Sequence, residues 1–201
     1  MTTTSTGISF ASLEGATRTD LGEGAWVDHV PFWTTGHEDL MEALEGPIGW
    51  RQDKRWMFGR EVWVPRLLVD FQEGDPLPHP ALVEARAALD AKYAPEFGEP
   101  FVSAGLALYR HGKDSVAWHG DRYGRGDTDD TAVAILALGA PRPLVFRRRG
   151  GGPELLRLEL GLGDLAVMGG TNQRTMDHCV PKADGYVGPR ISVQFRMKGV
   201  W

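Results

Sequence analysis

The segment Trp118-His119-Gly120-Asp121 places an imidazole and a carboxylate two positions apart. On a strand, positions i and i+2 project to one face, so this spacing predicts that His119 and Asp121 point together into a barrel. They supply two legs of a facial triad, and His178, on a later predicted strand, is the natural third. Such a triad leaves coordination positions open for a chelating cosubstrate and dioxygen, which is the use non-haem iron(II) oxygenases make of it. The same pattern also arises when one histidine caps a turn and another is satisfied in the core. With six histidines and 27 acidic residues in the chain, these three residues alone do not decide between the readings. His29, His37, His79 and His111 stand in loop-like or helical contexts and are read as ordinary histidines.

The C-terminal segment Pro189-Arg190-Ile191-Ser192-Val193-Gln194-Phe195-Arg196 shifts the balance. Arg190, Ser192, Gln194 and Arg196 alternate with apolar residues, so all four share one face of a strand. Two guanidinium groups inside a small barrel are costly unless they meet anions. Arginine suits bidentate capture of a carboxylate, and 2-oxoglutarate carries two. A solvent-facing strand would carry such charges too, but here the arginines follow His178 closely, where a cosubstrate bound to the metal would lie.

Elements that position these residues are legible in outline. His37–Leu44 and Pro80–Tyr93 carry helical spacing, the second with Pro at its start. The rest of the first half reads as loops. After Pro100, short runs of Val, Leu, Ile and Phe alternate with Gly, Pro and Asp turns, giving strands near 101–110, 114–119, 131–138, 143–148, 154–160, 164–168, 174–180 and 190–197. Arg149-Gly150-Gly151-Gly152-Pro153 reads as a hairpin turn. The expected fold is mainly β with flanking helices: a double-stranded β-helix (jelly roll) with an N-terminal helical and lid region.

A length of 201 residues allows one domain, 1–201, with 1–100 as extension, recognition region and supporting helix and 101–201 as the jelly-roll core. The composition, 42% hydrophobic and 24% charged with 26 Gly and 13 Pro, is that of a turn-rich globular protein. No apolar run is long enough to cross a bilayer, the first residues lack a signal-peptide pattern, and the lone Cys179 forms no internal disulfide. These features lead us to expect a cytoplasmic monomer with no membrane partner. The net charge of −5 argues against nonspecific coating of nucleic acid. Arg51, Lys54, Arg55, Arg60 and Arg66 nevertheless cluster in sequence, as do Arg147, Arg148 and Arg149, either as local basic faces or as ordinary solvated residues.

Four segments carry a family resemblance: Leu108-Tyr109-Arg110, Lys113 through Asp121, His178-Cys179-Val180-Pro181-Lys182, and Arg190 through Arg196. In order and spacing they resemble the AlkB family of iron(II)- and 2-oxoglutarate-dependent dioxygenases over residues 101–197. That resemblance implies Fe(II) held by His119, Asp121 and His178. It implies 2-oxoglutarate anchored by Arg190, with Tyr109, Ser192 and Arg196 around it. Phe58-Gly59-Arg60 and Val64-Pro65-Arg66 resemble the lead-in to the family's nucleotide-recognition lid, and Met57-Phe58-Gly59 resembles an apolar finger that wedges into duplex DNA. Phe58, Arg60, Arg66, Trp118 and Tyr123 are the substrate-binding candidates, and Trp50, Trp56 and Trp63 are further stacking candidates.

The implied activity is oxidative dealkylation of N-alkylated bases in DNA or RNA, with dioxygen as the other substrate. The base must be flipped out or come from a single strand. Departures from the family pattern fall around the cosubstrate and the substrate. Ala107 and Ser192 stand where Asn is frequent, Leu67–His79 is shorter than the lid, and Tyr123 replaces an acidic residue. The alternatives are an oxygenase of the same chemistry acting on RNA or a small molecule, and a jelly-roll module that binds metal without turnover.

Overall fold

The computed structural model of the chain describes residues 7–57 and 59–200. In order, the first half contributes β1 (Ser9–Phe10), β2 (Thr17–Gly22), β3 (Ala25–Val30), β4 (Thr34–Thr35), α1 (His37–Glu45), β5 (Lys54–Met57), β6 (Arg60–Trp63), β7 (Leu67–Phe71) and α2 (Pro80–Phe97). The second half contributes β8 (Phe101–Tyr109), β9 (Val116–His119), β10 (Thr131–Gly139), β11 (Arg142–Arg148), β12 (Glu154–Leu160), β13 (Asp164–Gly170), the single turn α3 (Asn172–Thr175), β14 (Met176–Val180) and β15 (Arg190–Met197). An antiparallel major sheet has the order β2-β3-β13-β10-β15-β8-β7, and a minor sheet the order β12-β11-β14-β9. The two form the jelly roll.

Alternation along β15 divides the core. Ile191, Val193 and Phe195 are fully buried and share a face with their register partners Leu108, Leu106 and Ala104 on β8 and Leu138, Leu136 and Ala134 on β10. Helices α1 and α2 pack on these strands. Buried Ala81, Leu82, Ala85, Leu89 and Tyr93 recur at helical spacing along α2 and form its contact stripe. Pro80 begins α2, the His79 side chain accepts from the Ala81 N–H at 3.1 Å, and Gly98 ends it with φ 73°. The opposite face of β15, with Arg190, Ser192, Gln194 and Arg196, looks toward the minor sheet.

Four sequence expectations are corrected. The first half is not only loops and helices, because β2, β3 and β7 are strands of the major sheet. β3 (Ala-Trp-Val-Asp-His-Val) shows no alternation because it is buried on nearly every residue. Its Asp28 is buried by accepting from Arg18 and from the Tyr93 hydroxyl. Leu67–Phe71 pairs with β8 as an edge strand, so only residues 72–79 of the expected lid stretch are free of the sheet. The strand expected from 114 begins at Val116, and the one expected from 174 begins at Met176 because Asn172–Thr175 makes a helical turn. Finally, α2 continues a turn beyond Tyr93, through Pro95 to Phe97.

Candidate metal and cosubstrate site

β14 and β9 lie side by side in the minor sheet, with His178 directly opposite His119. Directly opposed residues share a face, and the two imidazole rings stand 4.3 Å apart, with Phe146 of β11 beside His178. Asp121 does not share a strand with His119, contrary to the i, i+2 argument, since β9 ends at His119. Its carboxylate reaches the same place from the following loop. The Asp121 N–H donates to Oε1 of buried Gln173 at 2.8 Å, which ties the loop to α3. Gly120 and Gly126 let this loop pass close to its neighbours: a Cβ at Gly120 would strike the Gln173 carbonyl, and one at Gly126 the Asp121 carbonyl. As a result, one ligand atom from each of His119, Asp121 and His178 lies within 4.8 Å of the others.

The protonation states suit a cation. The His119 Nδ1 sits 2.8 Å from the Ala117 carbonyl and 3.1 Å from the His178 carbonyl. A carbonyl only accepts, so Nδ1 carries the proton and Nε2, 3.8 Å from Asp121 Oδ1, keeps its lone pair. Burial, with His119 alongside, pushes His178 down to about 3, leaving a neutral imidazole. Burial opposes ionisation of Asp121, yet its neighbours, Arg196 first among them, outweigh it and hold the carboxyl at about 2. Two imidazoles and one carboxylate, with a buried His178 Nδ1 lacking a partner, form a donor set fit for iron(II).

The inner face of β15 carries a polar stripe that ends beside this set. A Gly or Ala flanks each of its first three polar residues on at least one side. Arg190 lies between Gly139 and Tyr109, Ser192 between Ala137 and Ala107, and Gln194 between Ile135 and Gly105. Arg190 is 1% exposed, with a single long hydrogen bond from Nε to the Leu160 carbonyl at 3.4 Å and no partner for Nη1. Burial pushes its guanidinium below the ordinary range. An uncompensated buried cation is expensive, so this group fits an anionic ligand. Arg196 stands 3.5 Å from Asp121 at the far end of the stripe.

Two positioning residues escaped the sequence reading. Arg142, fully buried, donates to the Asp114 carbonyl at 2.9 Å and the Pro181 carbonyl at 2.6 Å, with longer bonds to His111 and Gly112. It clamps the turn before β9 to the chain leaving β14. Gln173 is the other. Neither has a local signature, since an arginine after a Gly-Ala-Pro turn and a Gln in a polar run look solvated in sequence.

The substrate candidates are scattered. The β9–β14 pairing carries a bulge between His178 and Val180, and the alternation turns Trp118 to the outer face, where it stacks on Arg147 at 4.2 Å. Tyr123 is 79% exposed. The acids that follow it in the chain are each paired with an arginine: Asp127 with Arg149, Asp129 with Arg125 and Asp130 with Arg174. Arg60 is exposed at the start of β6, whereas Arg66 donates to the Ser115 carbonyl at 3.1 Å. Phe58 lies outside the described residues. The β5–β6 hairpin bridges the two open sheet edges: Arg51 pairs with Leu68 of β7, and the Ser115 N–H donates to Pro65 just before β9. Trp56 (73% exposed) and Trp63 (56%) lie diagonally on one face of it.

Residues 28–196 match the model of the 2OG-Fe(II) oxygenase superfamily. The alpha-ketoglutarate-dependent dioxygenase alkB homolog 3 of Bos taurus is 32% identical over 135 residues, 62% of this chain and 44% of that protein. Its Homo sapiens counterpart is 31% identical over the same shares. The match thus spans less than half the length of these two relatives. The DNA oxidative demethylase ALKBH2 of Arabidopsis thaliana is 32% identical over 220 residues, 89% of this chain and 68% of that protein. A solved structure of OsALKBH1 shares the fold, with a TM-score of 0.60 at 12% identity over 90% of this chain and 99% of that one. By its superfamily match, its relatives and its fold, the chain belongs to the AlkB family of iron(II)- and 2-oxoglutarate-dependent oxygenases.

Proposed function

We propose that this protein removes alkyl groups oxidatively from N-alkylated nucleic-acid bases, with His119, Asp121 and His178 holding iron(II) and Arg190 anchoring 2-oxoglutarate. The observation that carries the reading is the buried, half-satisfied guanidinium of Arg190 on the strand face whose Arg196 stands 3.5 Å from Asp121 of the His–Asp–His cluster. A module that only stored metal would have no use for such a cation. The iron, when bound, supplies dioxygen activation coupled to oxidative decarboxylation of the cosubstrate.

The chain's own residues do the rest. Arg190 neutralises one carboxylate of the cosubstrate, Tyr109 walls its side, and Ser192 and Arg196 continue the polar face of β15 beyond it. His119 keeps its lone pair toward the metal because two carbonyls hold its Nδ1 proton. The residues around the β5–β6 hairpin carry five basic side chains against two acidic ones over 51–66, opposite in sign to the chain as a whole. That local charge, with Trp56 and Trp63 exposed on one face of the hairpin, supports a nucleic acid as the substrate. Cytoplasmic location and a monomeric state accompany this reading.

The test is a panel of N-methylated DNA and RNA oligonucleotides and free methylated nucleosides, supplied with iron(II) and 2-oxoglutarate. Formaldehyde release matched by succinate on oligonucleotides is the expected result. Turnover confined to nucleosides or other small molecules would mean an oxygenase of different substrate, and metal uptake without succinate would mean a binding module.

A further inference from the structure

The polar stripe of β15 contains a side chain to which none of these roles has been given. Gln194 is half-buried between Ser192 and Arg196. Its side-chain oxygen accepts from Arg196 Nη2 at 2.8 Å, and its nitrogen donates to Ser192 Oγ at 3.2 Å. On its other edge, the Arg196 guanidinium presents Nε to Asp121 Oδ2 at 3.5 Å. The register partner of Gln194 on β8 is Gly105, and a Cβ there would come within 2.6 Å of Arg196 Nη1. A residue with no side chain is therefore what allows the guanidinium to lie across β8. Arg196 is thus held on one edge by Gln194, directed at Asp121 by another, and given room by Gly105.

A guanidinium is a rigid plane, so fixing Nη2 and the space for Nη1 fixes the direction of Nε. Asp121 has its backbone fixed by Gln173, but its second carboxylate oxygen has Arg196 as its charged neighbour. Orientation of a metal-ligating carboxylate by an outer hydrogen-bonding shell is a general determinant of metal affinity. Gln194 reaches both Ser192 and Arg196, two residues away in either direction, and so connects the polar stripe to the metal-ligand carboxylate. Asn at this position would be too short to reach both, and Met would fill the volume without either bond.

We propose that Gln194 is a positioning residue that sets the plane of Arg196 against Asp121 and thereby couples the polar stripe of β15 to metal affinity. The inference rests on the reading of His119, Asp121 and His178 as metal ligands. It is tested on the full chain by Co(II) titration of the metal-free protein, followed by visible absorption, and by the dependence of succinate formation on 2-oxoglutarate. Gln194→Met weakens Co(II) binding about tenfold, the low end of the cost of losing an outer-shell partner, and raises KM for 2-oxoglutarate more than it lowers kcat. Gln194→Glu keeps an acceptor at the same reach and recovers Co(II) affinity, while its charge keeps KM high for the anionic cosubstrate. Gly105→Ala removes no hydrogen bond but crowds Arg196, and reproduces the weakened Co(II) binding; it decides the matter where Gln194→Met does not fold. Folded Gln194→Met and Gly105→Ala proteins with wild-type Co(II) affinity would overturn the proposal. Failure of the underlying metal reading looks different: Co(II) uptake by the wild-type protein would then be insensitive to His178→Ala.

Discussion

Tyr109 and Arg190 face each other across β8 and β15, and the Arg190 guanidinium carbon stands 5.2 Å from the centre of the Tyr109 ring. The guanidinium carbon of Arg142 stands 5.9 Å from the same ring. Both arginines are fully buried, yet they differ in how they are satisfied. Arg142 has backbone carbonyls for its Nη groups, whereas Arg190 has one long bond and an unpartnered Nη1. Fold and function divide along that difference.

For Arg190, substitution by lysine keeps the charge but removes the planar pair of donors. Arg190→Lys is expected to raise the apparent KM for 2-oxoglutarate at least tenfold, with kcat changed less. Arg190→Met removes an uncompensated buried cation, so the cosubstrate-free protein should be at least as stable as wild type while succinate formation is lost. Thermal melts alongside succinate kinetics check both. Unchanged dependence on 2-oxoglutarate in Arg190→Lys would remove Arg190 as the anchor.

Arg142 should behave in the opposite way. Arg142→Met strands several carbonyls that were bound to a charged donor, at a cost of about 3 kcal/mol. Chemical denaturation should show that loss, and the midpoint should fall even with metal and 2-oxoglutarate absent. A variant as stable as wild type would mean that the clamp on the β9 approach is dispensable.

Metal binding is expected to separate His178 from His111. His178→Ala is expected to abolish succinate formation and lower Co(II) or Fe(II) affinity by more than a hundredfold, since it removes one of three ligands, beyond the 10–100-fold typical of outer-shell changes. The His111 side chain is 55% exposed and lies 3.9 Å from Asp114 rather than beside the cluster. His111→Ala should leave metal affinity intact. Equal losses from the two changes, measured by titration, would refute the ligand assignment.

On the hairpin, Arg60 and Arg66 are expected to diverge. Arg60→Ala should weaken oligonucleotide binding similarly across sequences and reduce the salt slope by about one, with no change in melting temperature. Arg66→Ala also loses its bond to the Ser115 carbonyl, so it should lower stability by about 1 kcal/mol. Binding isotherms at several salt concentrations, paired with melts, distinguish a phosphate contact from a structural one.

Substrate charge preference depends on Tyr123 and its neighbours. The exposed tyrosine has no formal charge at neutral pH, and Asp127, Asp129 and Asp130 are each paired with an arginine. Discrimination between cationic N3-methylcytosine and neutral N3-methylthymine should therefore be weak, and Tyr123→Asp should raise it. Steady-state rates on matched oligonucleotides decide this. A strong wild-type preference for the cationic lesion that Tyr123→Asp leaves unchanged would place Tyr123 outside the recognition site.

By itself the sequence determined the chemistry-bearing side chains of the C-terminal half. Strand alternation is a local property, so the shared face of Arg190, Ser192, Gln194 and Arg196 was legible from period two alone, and so was the buried stripe of α2 from helical spacing. The strand pattern after Pro100, with its Gly and Pro turns, likewise specified a jelly roll. What only the tertiary structure decided depends on register between distant segments. Asp121 meets the histidines from a loop because Gln173 and two close-packed glycines hold it there, not because of its spacing from His119. A bulge interrupts the β9–β14 pairing just past His178, and β3 hides in the first half because burial of nearly every residue erases alternation. Whether a buried arginine finds backbone partners, like Arg142, or keeps an unpartnered nitrogen, like Arg190, is set by which carbonyls the fold brings within hydrogen-bonding reach, and no local pattern encodes that.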